Sequence, residues 1–313
     1  MGYRFDPELA PWVDMLPKGD LTDLAAVRSG MGGLRAQMPA IDLPENLEIQ
    51  DVVIPGSPDV RVRVYTPTGL TGPLPAQVYI HGGGFILGDI EMVSDGLAKT
   101  AADVGAVIVS VDYRLAPETP FPGGLEDCYT ALKWTVDNAA ELNIDTARVA
   151  IGGESAGGGL SAGLALLARD RGGPAIAFQF LGVPELDDRL ETTSMQEFTD
   201  TPLWNRPNAV LSWKYYLSGG SIVDGKEGIH YAAPARAEDL KGLPSAYITT
   251  CEFDPLRDEG LNYAQRLLQA GVSVEIHHYP GTFHGSGLVA EAAVSKRMAA
   301  DHLDALRRAF ARD

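Results

Sequence analysis

The sequence predicts an α/β protein built around a largely parallel sheet that helices cover on both faces. Short runs rich in valine and isoleucine recur along the chain, and helical stretches separate most of them. Strands that are apolar along nearly their whole length are typical of a sheet buried on both faces. The composition agrees, because 45% of the 313 residues are hydrophobic and 21% are charged, as in an ordinary globular protein.

The predicted elements begin with a hairpin. Residues 47–54 and 60–65 flank the turn Pro55-Gly56-Ser57-Pro58-Asp59, and apolar and polar side chains alternate in the second strand. The later strands are predicted at residues 76–80, 106–111, 149–151, 176–183, 246–250 and 272–279. The helices that separate or follow them are predicted at residues 125–140, 156–169, 255–270 and 289–311.

Two segments fall outside this alternation. Residues 1–45 show weak helical patterning and no strand, and about 60 residues separate the strands at 176–183 and 246–250, far more than a usual connection. We therefore predict one domain over residues 1–313, with a helical cap formed by about 1–45 and by an insertion at about 185–217. The aromatic residues of the insertion either line a substrate pocket or pack the cap onto the body: Trp204, Trp213, Tyr215 and Tyr216.

Charge and hydropathy exclude several classes of partner. The chain has 25 basic and 42 acidic residues and a net charge of −17, which repels phosphate backbones, so we expect no nucleic acid. No stretch approaches the ~18 to 20 apolar residues of a membrane span. The first residues lack the apolar run of a secretory signal, and we expect a cytoplasmic protein. Cys128 and Cys251 match no zinc or redox spacing, which predicts two reduced, partly buried thiols.

The strongest chemical signal is a serine between a predicted strand and a predicted helix. The run Ile151-Gly152-Gly153-Glu154-Ser155-Ala156-Gly157-Gly158-Gly159 contains the pattern G-x-S-x-G. In this context the pattern forms a strained turn that projects the serine hydroxyl from the carboxyl edge of the sheet, at a helix N-terminus. A glycine-rich packing turn is the alternative. The strand before and the helix after favour Ser155 as a nucleophile.

A glycine loop follows the strand at 76–80. In His81-Gly82-Gly83-Gly84-Phe85, consecutive glycines let backbone amides turn toward one point and form an oxyanion hole. A phosphate-binding loop is excluded, because no Lys-Ser/Thr follows and G-x-G-x-x-G is absent. We interpret His81 as a structural residue rather than a base.

A serine nucleophile needs a base and an orienting carboxylate, which follow it along the chain in this architecture. The strand at 246–250 leads into Cys251-Glu252-Phe253-Asp254-Pro255-Leu256-Arg257-Asp258. Asp254 lies in the turn after the strand, whereas Glu252 lies at the strand's exit and Asp258 lies one turn into the next helix. We therefore choose Asp254 as the acid.

The choice of base is made among six histidines. His284 follows the last predicted strand on the glycine loop Pro280-Gly281-Thr282-Phe283-His284-Gly285, one helix and one strand after the acid. His277 and His278 lie within that strand, where alternation points them to opposite faces. The remaining candidates lie away from the predicted strand ends or open the glycine loop: His230, His302 and His81. His284 is therefore the predicted base.

Together these motifs resemble the hormone-sensitive-lipase-like branch of the α/β-hydrolases, a family of bacterial carboxylesterases. The glycine loop, the serine turn, Asp254-Pro255-Leu256-Arg257-Asp258 and His284-Gly285 carry the resemblance. So does Asp112-Tyr113-Arg114-Leu115-Ala116-Pro117-Glu118, which the resemblance makes a structural loop. The five motifs stand in the family's order.

The resemblance implies an eight-stranded sheet, a cap built partly from the N-terminus, and neither cofactor nor metal. It also implies that two amides among Gly82, Gly83 and Gly84, with that of Ala156, hold the oxyanion, and that a homodimer is possible. Two positions depart from many relatives. Glu154 replaces an aspartate, and Ser286 replaces an aromatic or aliphatic residue, which bears on specificity.

The predicted function is hydrolysis of small-molecule carboxylic esters with short to medium acyl chains through an acyl-enzyme. A non-catalytic ligand-binding protein of the same fold and a small lipase or acetylhydrolase remain as alternatives. A serine peptidase is disfavoured, because 313 residues leave no room for the propeller domain that such peptidases carry. Ser155 excludes an aspartate-nucleophile dehalogenase or epoxide hydrolase.

Overall fold

The computed structural model describes residues 2–16, 21–35, 43–218 and 228–311, and within them eight strands form one sheet. In chain order the strands are β1 (Leu47–Ile54), β2 (Val60–Pro67), β3 (Leu74–Ile80), β4 (Val107–Asp112), β5 (Ile144–Glu154), β6 (Phe178–Gly182), β7 (Ser245–Phe253) and β8 (Val274–Phe283). Their spatial order is β1-β2-β4-β3-β5-β6-β7-β8. Strand β2 pairs antiparallel with β1 and β4, and the other neighbours are parallel. The predicted hairpin and mostly parallel eight-stranded sheet are confirmed.

The α-helices of the described residues are α1 (Leu24–Arg35), α2 (Ser94–Val104), α3 (Gly123–Asp137), α4 (Ala156–Asp170), α5 (Thr193–Glu197), α6 (Arg206–Tyr216), α7 (Ile229–Ala232), α8 (Arg257–Gln269) and α9 (Ala293–Phe310). The four predicted helices correspond to α3, α4, α8 and α9. Helix α2 was not predicted from the sequence. Its buried face consists of only Leu97, Ala98 and Ala101, which is too little for a clear apolar stripe.

The two faces of the sheet carry separate apolar layers. Helices α3, α4 and α8 cover one face, and α2 and α9 cover the other. Consecutive residues of β5 illustrate the alternation, because Ile151 packs in the first layer and Ala150 in the second, and both are fully buried. Each large buried side chain contributes roughly 1.5–3 kcal/mol of transfer free energy. Burial on both faces explains why the strands are apolar along most of their length.

Several predicted boundaries were too short or too long. The strand predicted at 149–151 extends over Ile144–Glu154, because the buried Ile144 pairs with Leu74 of β3 ahead of an irregularity in the register. The helix predicted at 289–311 begins only at Ala293, because Ser286–Leu288 forms a separate 3₁₀ turn. The ends of these strands and helices depend on local backbone hydrogen bonds, and the hydrophobic pattern of the sequence does not reveal such bonds.

The two segments outside the sheet contact loops at the carboxyl ends of strands. Near the N-terminus, the ring centroid of Phe5 lies 5.3 Å from those of Phe253 and Phe283, at the ends of β7 and β8. In the insertion, the ring of Tyr216 on α6 stacks on Phe85 with centroids 4.0 Å apart. Residues 1, 17–20, 36–42 and 219–227 lie outside the described residues. The assignment of these segments to a cap stays a prediction. No helix among the described residues is long and apolar enough to cross a membrane.

Candidate active site

Ser155 lies in a strained turn between β5 and α4. Its backbone has φ 57° and ψ −123°, a conformation that L-residues rarely adopt. A Cβ at Gly153 or Gly157 would lie 2.1 or 2.0 Å from the carbonyl oxygen of Ile80, so the turn requires glycine at both positions. The two glycines of the pattern G-x-S-x-G are therefore needed because the turn lies so close to the end of β3.

The register of the sheet brings the predicted acid and base together. Phe253 of β7 pairs with Phe283 of β8, so the residues that follow them, Asp254 and His284, leave the sheet side by side. His284 Nδ1 lies 2.7 Å from Asp254 Oδ2, and His284 Nε2 lies 2.9 Å from Ser155 Oγ. The three predicted residues thus form one hydrogen-bonded chain.

Burial and hydrogen bonding fix this chain. Asp254 is 1% exposed, and Ser155 and His284 are 7% and 8% exposed. The other oxygen of Asp254, Oδ1, accepts a hydrogen bond from the amide of Leu256 at 2.9 Å. A buried carboxylate whose oxygens both accept hydrogen bonds is held in one orientation, so it can fix the tautomer of a neighbouring imidazole.

The rejected acids have other partners. Asp258 accepts hydrogen bonds from the amide of Ser194 at 2.7 Å and from Arg257 Nε at 2.8 Å. Glu252 accepts one from the amide of Gly281 at 2.6 Å. Both carboxylates therefore join loops together next to the site and lie outside the chain.

The other histidines are likewise used elsewhere. His277 lies 2.9 Å from Glu275 Oε1 and 3.2 Å from Asp301 Oδ2, while His278 lies 2.9 Å from Thr250 Oγ1. The remaining two sit in helices: His302 stacks on Phe180 with centroids 3.9 Å apart, and His230 lies in α7 beside Tyr231.

The glycine loop adopts backbone conformations that favour glycine. Gly83 has φ +122° and Gly84 has φ +57°, and a Cβ at Gly83 would lie 2.1 Å from the carbonyl oxygen of Leu87. A Cβ at Gly82 would lie 3.4 Å from the Cβ of Ser155, so the loop runs beside the serine. Within the described part of the chain, the amides of Gly83 and Gly84 donate to no protein acceptor. Ala156, the first residue of α4, follows Ser155 directly and is fully buried.

His81 is a structural residue in this geometry. It is fully buried, its Nδ1 lies 2.8 Å from the carbonyl oxygen of Gly82, and its ring stacks on Tyr113 with centroids 4.3 Å apart. Burial lowers the pKa of His81 to about 4, so the imidazole is neutral and can donate to that carbonyl. Tyr113 donates to the carbonyl oxygen of His81 at 3.1 Å. The neighbouring Arg114 pairs with Asp127.

Two buried polar residues that contact the serine turn and the glycine loop were not predicted from the sequence. Glu185 follows β6 and is fully buried, and its amide donates to the carbonyl oxygen of Ser155 at 3.1 Å. Ser212 of α6, also fully buried, lies 3.2 Å from Glu185 Oε1 and donates to the carbonyl oxygen of Gly84 at 2.8 Å. An acidic residue just after an apolar strand was the available signal for Glu185. No feature of the sequence pointed to Ser212.

The two departures from the family pattern behave differently. The surrounding protein raises the pKa of the Glu154 carboxyl group, and the nearby His284 offsets part of this rise. The side chain is nevertheless exposed to solvent. Ser286 is 1% exposed and its carbonyl oxygen accepts a hydrogen bond from Ser295 Oγ at 3.1 Å. Glu154 can therefore meet a ligand, whereas Ser286 is enclosed.

The two cysteines are free thiols. Cys128 and Cys251 are both free and buried, as predicted. Burial raises the pKa of the Cys251 thiol to about 12, so the thiol stays protonated. Among the described residues, no group of three or more histidine, cysteine or acidic side chains is arranged to hold a metal ion.

Comparisons with known proteins agree with this geometry. The pattern of a family described as alpha/beta hydrolase fold matches residues 77–287, which include the glycine loop, the serine turn and His284. The chain belongs to the α/β-hydrolase family. The hydrolase is 42% identical to Carboxylesterase NlhH of Mycobacterium tuberculosis over 90% of this chain and 88% of that protein. It is 33% identical to an Arylesterase of Saccharolobus solfataricus over 89% of this chain and 91% of the relative.

Solved structures extend the likeness to the whole chain. The structure titled Bacterial Heroin Esterase is 51% identical, and the superposition has a TM-score of 0.95 and covers 99% of both chains. The predicted membership in the hormone-sensitive-lipase-like branch and the predicted class, carboxylic ester hydrolase, are confirmed.

Proposed function

We propose that the hydrolase cleaves carboxylic esters of short to medium acyl length through an acyl-enzyme intermediate on Ser155. The observation that carries the proposal is the chain of hydrogen bonds from Ser155 through His284 to Asp254, at 2.9 and 2.7 Å. A serine hydroxyl is a weak nucleophile unless a neighbouring base removes its proton, and a base is effective when a third group orients it.

Acylation follows from these contacts. Ser155 Oγ attacks the ester carbonyl carbon while His284 Nε2 takes the hydroxyl proton. Asp254 accepts the hydrogen bond from Nδ1–H and stabilises the imidazolium that forms. When the tetrahedral intermediate collapses, His284 returns the proton to the alcohol oxygen, and the alcohol leaves.

Deacylation repeats the sequence with water. A water molecule takes the place of the alcohol, and His284 removes its proton as the oxygen attacks the acyl carbon. The second intermediate collapses with release of the carboxylic acid, and the proton returns to Ser155. The cycle uses water as its only co-substrate.

The oxyanion of both intermediates is proposed to lie against the glycine loop. The amides of Gly83 and Gly84 are available as donors, and the amide of Ala156 stands at the positive end of α4. Gly82 remains an alternative donor in place of either glycine. Removal of one such donor costs about 10²–10³-fold in kcat in well-studied hydrolases.

The substrate is proposed to combine a small acyl group with an aromatic or similarly bulky alcohol. Trp204 is 6% exposed, its ring centroid lies 5.9 Å from that of His284, and a Cβ at Gly84 would lie 2.4 Å from the indole. This indole narrows the space beside the oxyanion loop, which favours short acyl chains. Relatives named as an arylesterase and a heroin esterase support the aromatic alcohol.

A panel of p-nitrophenyl esters from acetate to palmitate tests the substrate class, and a serine-directed phosphonate tests the nucleophile. We expect kcat/KM to be highest for the short and medium esters, and the phosphonate to label Ser155 alone in a peptide map. A maximum at palmitate would favour the lipase alternative. If no ester is hydrolysed although the protein still binds the ligand, the alternative of a non-catalytic binding protein is favoured.

Two further predictions from the sequence stay predictions. The cytoplasmic location follows only from residue patterning. The possible homodimer follows only from the family resemblance, and sedimentation velocity of the purified protein would test it.

A further inference from the structure

Glu185 is a buried carboxyl group that the proposed reaction does not use. Its side chain is fully buried, Oε1 lies 3.2 Å from Ser212 Oγ, and Oε2 has no partner within the described part of the chain. An ionised carboxylate in such a place is costly unless a cation or several donors compensate it. The single neighbouring hydroxyl does neither.

The direction of the hydrogen bonds assigns a proton to Glu185. A serine hydroxyl has one hydrogen, and a carbonyl oxygen can only accept. Of the two oxygens that Ser212 could donate to, the carbonyl oxygen of Gly84 is the nearer, at 2.8 Å against 3.2 Å for Glu185 Oε1. We assign the hydrogen to Gly84, which leaves a lone pair of Ser212 facing Glu185 Oε1. The contact with Glu185 is a hydrogen bond only if the carboxyl group donates.

We infer that Glu185 is a neutral carboxylic acid that donates to Ser212, and that the chain Glu185–Ser212–Gly84 positions the glycine loop that supplies the oxyanion hole. The inference rests on the proposed function of that loop. Ser212 and Gly84 are in such close contact that a shift of one would move the other, because a Cβ at Gly84 would lie 3.1 Å from Ser212 Oγ. At the Glu185 end of this row of hydrogen-bonded residues, the amide of Glu185 donates to the carbonyl oxygen of Ser155, which connects the row to the proposed nucleophile. Glu185 and Ser212 are thus positioning residues.

The surroundings of Glu185 oppose its ionisation. Among the described residues, the titratable groups that interact with it electrostatically are Asp254 after β7, Glu259 on α8, Tyr113 after β4 and Tyr216 on α6. None of them is cationic. Burial is the main cause that raises the pKa of Glu185 to about 8, Asp254 adds to it, and the contact with Ser212 lowers it.

A dependence on pH follows from this assignment. Above about pH 8 the carboxyl group loses the proton that it donates, and a second negative charge appears near Asp254. The Gly84 carbonyl then competes with a carboxylate for the single hydrogen of Ser212. The loop loosens, so kcat should fall in alkaline solution while KM changes little.

The test measures kcat and KM for phenyl acetate by pH-stat titration from pH 6 to 9.5. The enzymes are the wild type, Glu185→Gln, Glu185→Leu and Ser212→Ala. The amide of Glu185→Gln still donates but cannot ionise, so this variant should keep kcat within about twofold at pH 7 and lose the alkaline fall. Glu185→Leu and Ser212→Ala should lower kcat about tenfold at every pH, less than the loss of an oxyanion donor, with KM within about threefold.

Glu259→Gln is the matched control. Glu259 is another buried carboxyl group beside the site, but it accepts from the amides of Leu186 and Asp187 and does not contact Ser212. This variant should retain the alkaline fall. The inference is overturned if Glu185→Gln keeps the wild-type fall, or if Ser212→Ala leaves kcat unchanged. Circular dichroism at each pH shows whether a variant is folded, and Ser155→Ala in the same assay tests the proposed function separately.

Discussion

The carboxyl edge of the sheet and the helical segments that contact it are held in place by different means. At the edge, strand pairing decides the geometry: Gly153 pairs with Ile80 two residues before Ser155, and Phe253 pairs with Phe283 one residue before Asp254 and His284. The contacting segments are attached largely through side chains, together with single backbone hydrogen bonds such as that from the amide of Asp6 to the carbonyl oxygen of Gly281 at 2.9 Å. Arg28 of α1, for example, donates to the carbonyl oxygen of Ile86 at 2.9 Å.

This difference separates chemistry from selectivity. Backbone pairing tolerates most substitutions of side chains, so the hydrogen-bond chain at the edge should persist when the contacting segments are altered. Side-chain attachments can change one at a time, and with them the shape of the space above Ser155. We therefore expect mutations at the edge to abolish turnover, and mutations in the contacting segments to shift substrate preference, except at Ser212, which contacts the glycine loop itself.

The largest effect is expected at the nucleophile. Ser155→Ala should lower kcat by about 10⁴-fold or more, because in the proposed mechanism no other group forms the acyl-enzyme. Its control is Ser161→Ala, a buried serine on α4, the helix that follows Ser155, whose hydroxyl donates to the carbonyl oxygen of Gly157. That variant should retain turnover within a few-fold. Initial rates with p-nitrophenyl acetate measure both, and Ser155→Ala activity above a tenth of wild type would refute the assignment.

The next effect concerns the base. His284→Ala should lower kcat by several orders of magnitude, since removal of a triad base leaves only the oxyanion hole and binding. His277→Ala and His278→Ala are its matched controls, because their rings contact Asp301 and Thr250 instead of the serine. Both should remain within about threefold of wild type. The reverse pattern would move the base into strand β8.

The edge was predictable from the sequence because its constraints are local. Ser155 sits in a pattern whose glycines the turn requires, and His284 follows from chain order and from the end of a strand. The segments that contact the edge were not predictable in the same way. Ser212 contacts Gly84 across 128 residues of chain and Arg28 contacts Ile86 across 58, and no short motif encodes such pairs.

Glu185 lies between these two cases. Its position just after β6 was readable, because an acid that follows an apolar strand points to the carboxyl edge. Its protonation was not readable, since it depends on the distant Ser212 and Asp254. Local sequence can therefore indicate where such a group lies, while long-range packing decides its protonation state.

An intermediate effect is expected from removal of the N-terminal segment. A chain that starts at residue 43 loses the ring contacts of Phe5 with Phe253 and Phe283, which precede Asp254 and His284. We expect the ratio of kcat/KM for acetate and octanoate esters to change about three- to tenfold, on the scale of a methylene or two in an apolar pocket. The rate of phosphonate labelling at Ser155 should change less.

Arg28→Met is the matched full-length variant for that experiment. It removes the hydrogen bonds of Arg28 to Ile86, Ala116 and Glu118 and keeps a side chain of similar length. It should shift the same ratio in the same direction by a smaller factor. A selectivity profile that overlays the wild type in both proteins would show that the N-terminal segment does not shape the binding site.

The smallest expected effect is on stability, and it arises where the two regions meet. Burial raises the pKa of Glu185 to about 8 from roughly 4.3 in an unfolded chain. Between these pH values the folded protein binds more protons than the unfolded one. The contribution of Glu185 to the free energy of unfolding is therefore greatest below about pH 4.3, and it declines as the pH rises to about 8. Glutamine does not titrate. Glu185→Gln should therefore gain melting temperature relative to wild type as pH rises from 5 to 8, by a few degrees, and the gain should level off above about pH 8.

Thermal unfolding followed by circular dichroism at half-unit pH steps measures this difference. Glu141→Gln, which changes an exposed carboxylate, should give a curve parallel to that of wild type. A constant offset between Glu185→Gln and wild type from pH 5 to 8 would mean that Glu185 is already ionised in the folded protein at pH 5. The hydroxyl of Ser212 would then be turned toward Glu185 and away from Gly84, and the glycine loop would owe its position to Trp204 and its own backbone instead.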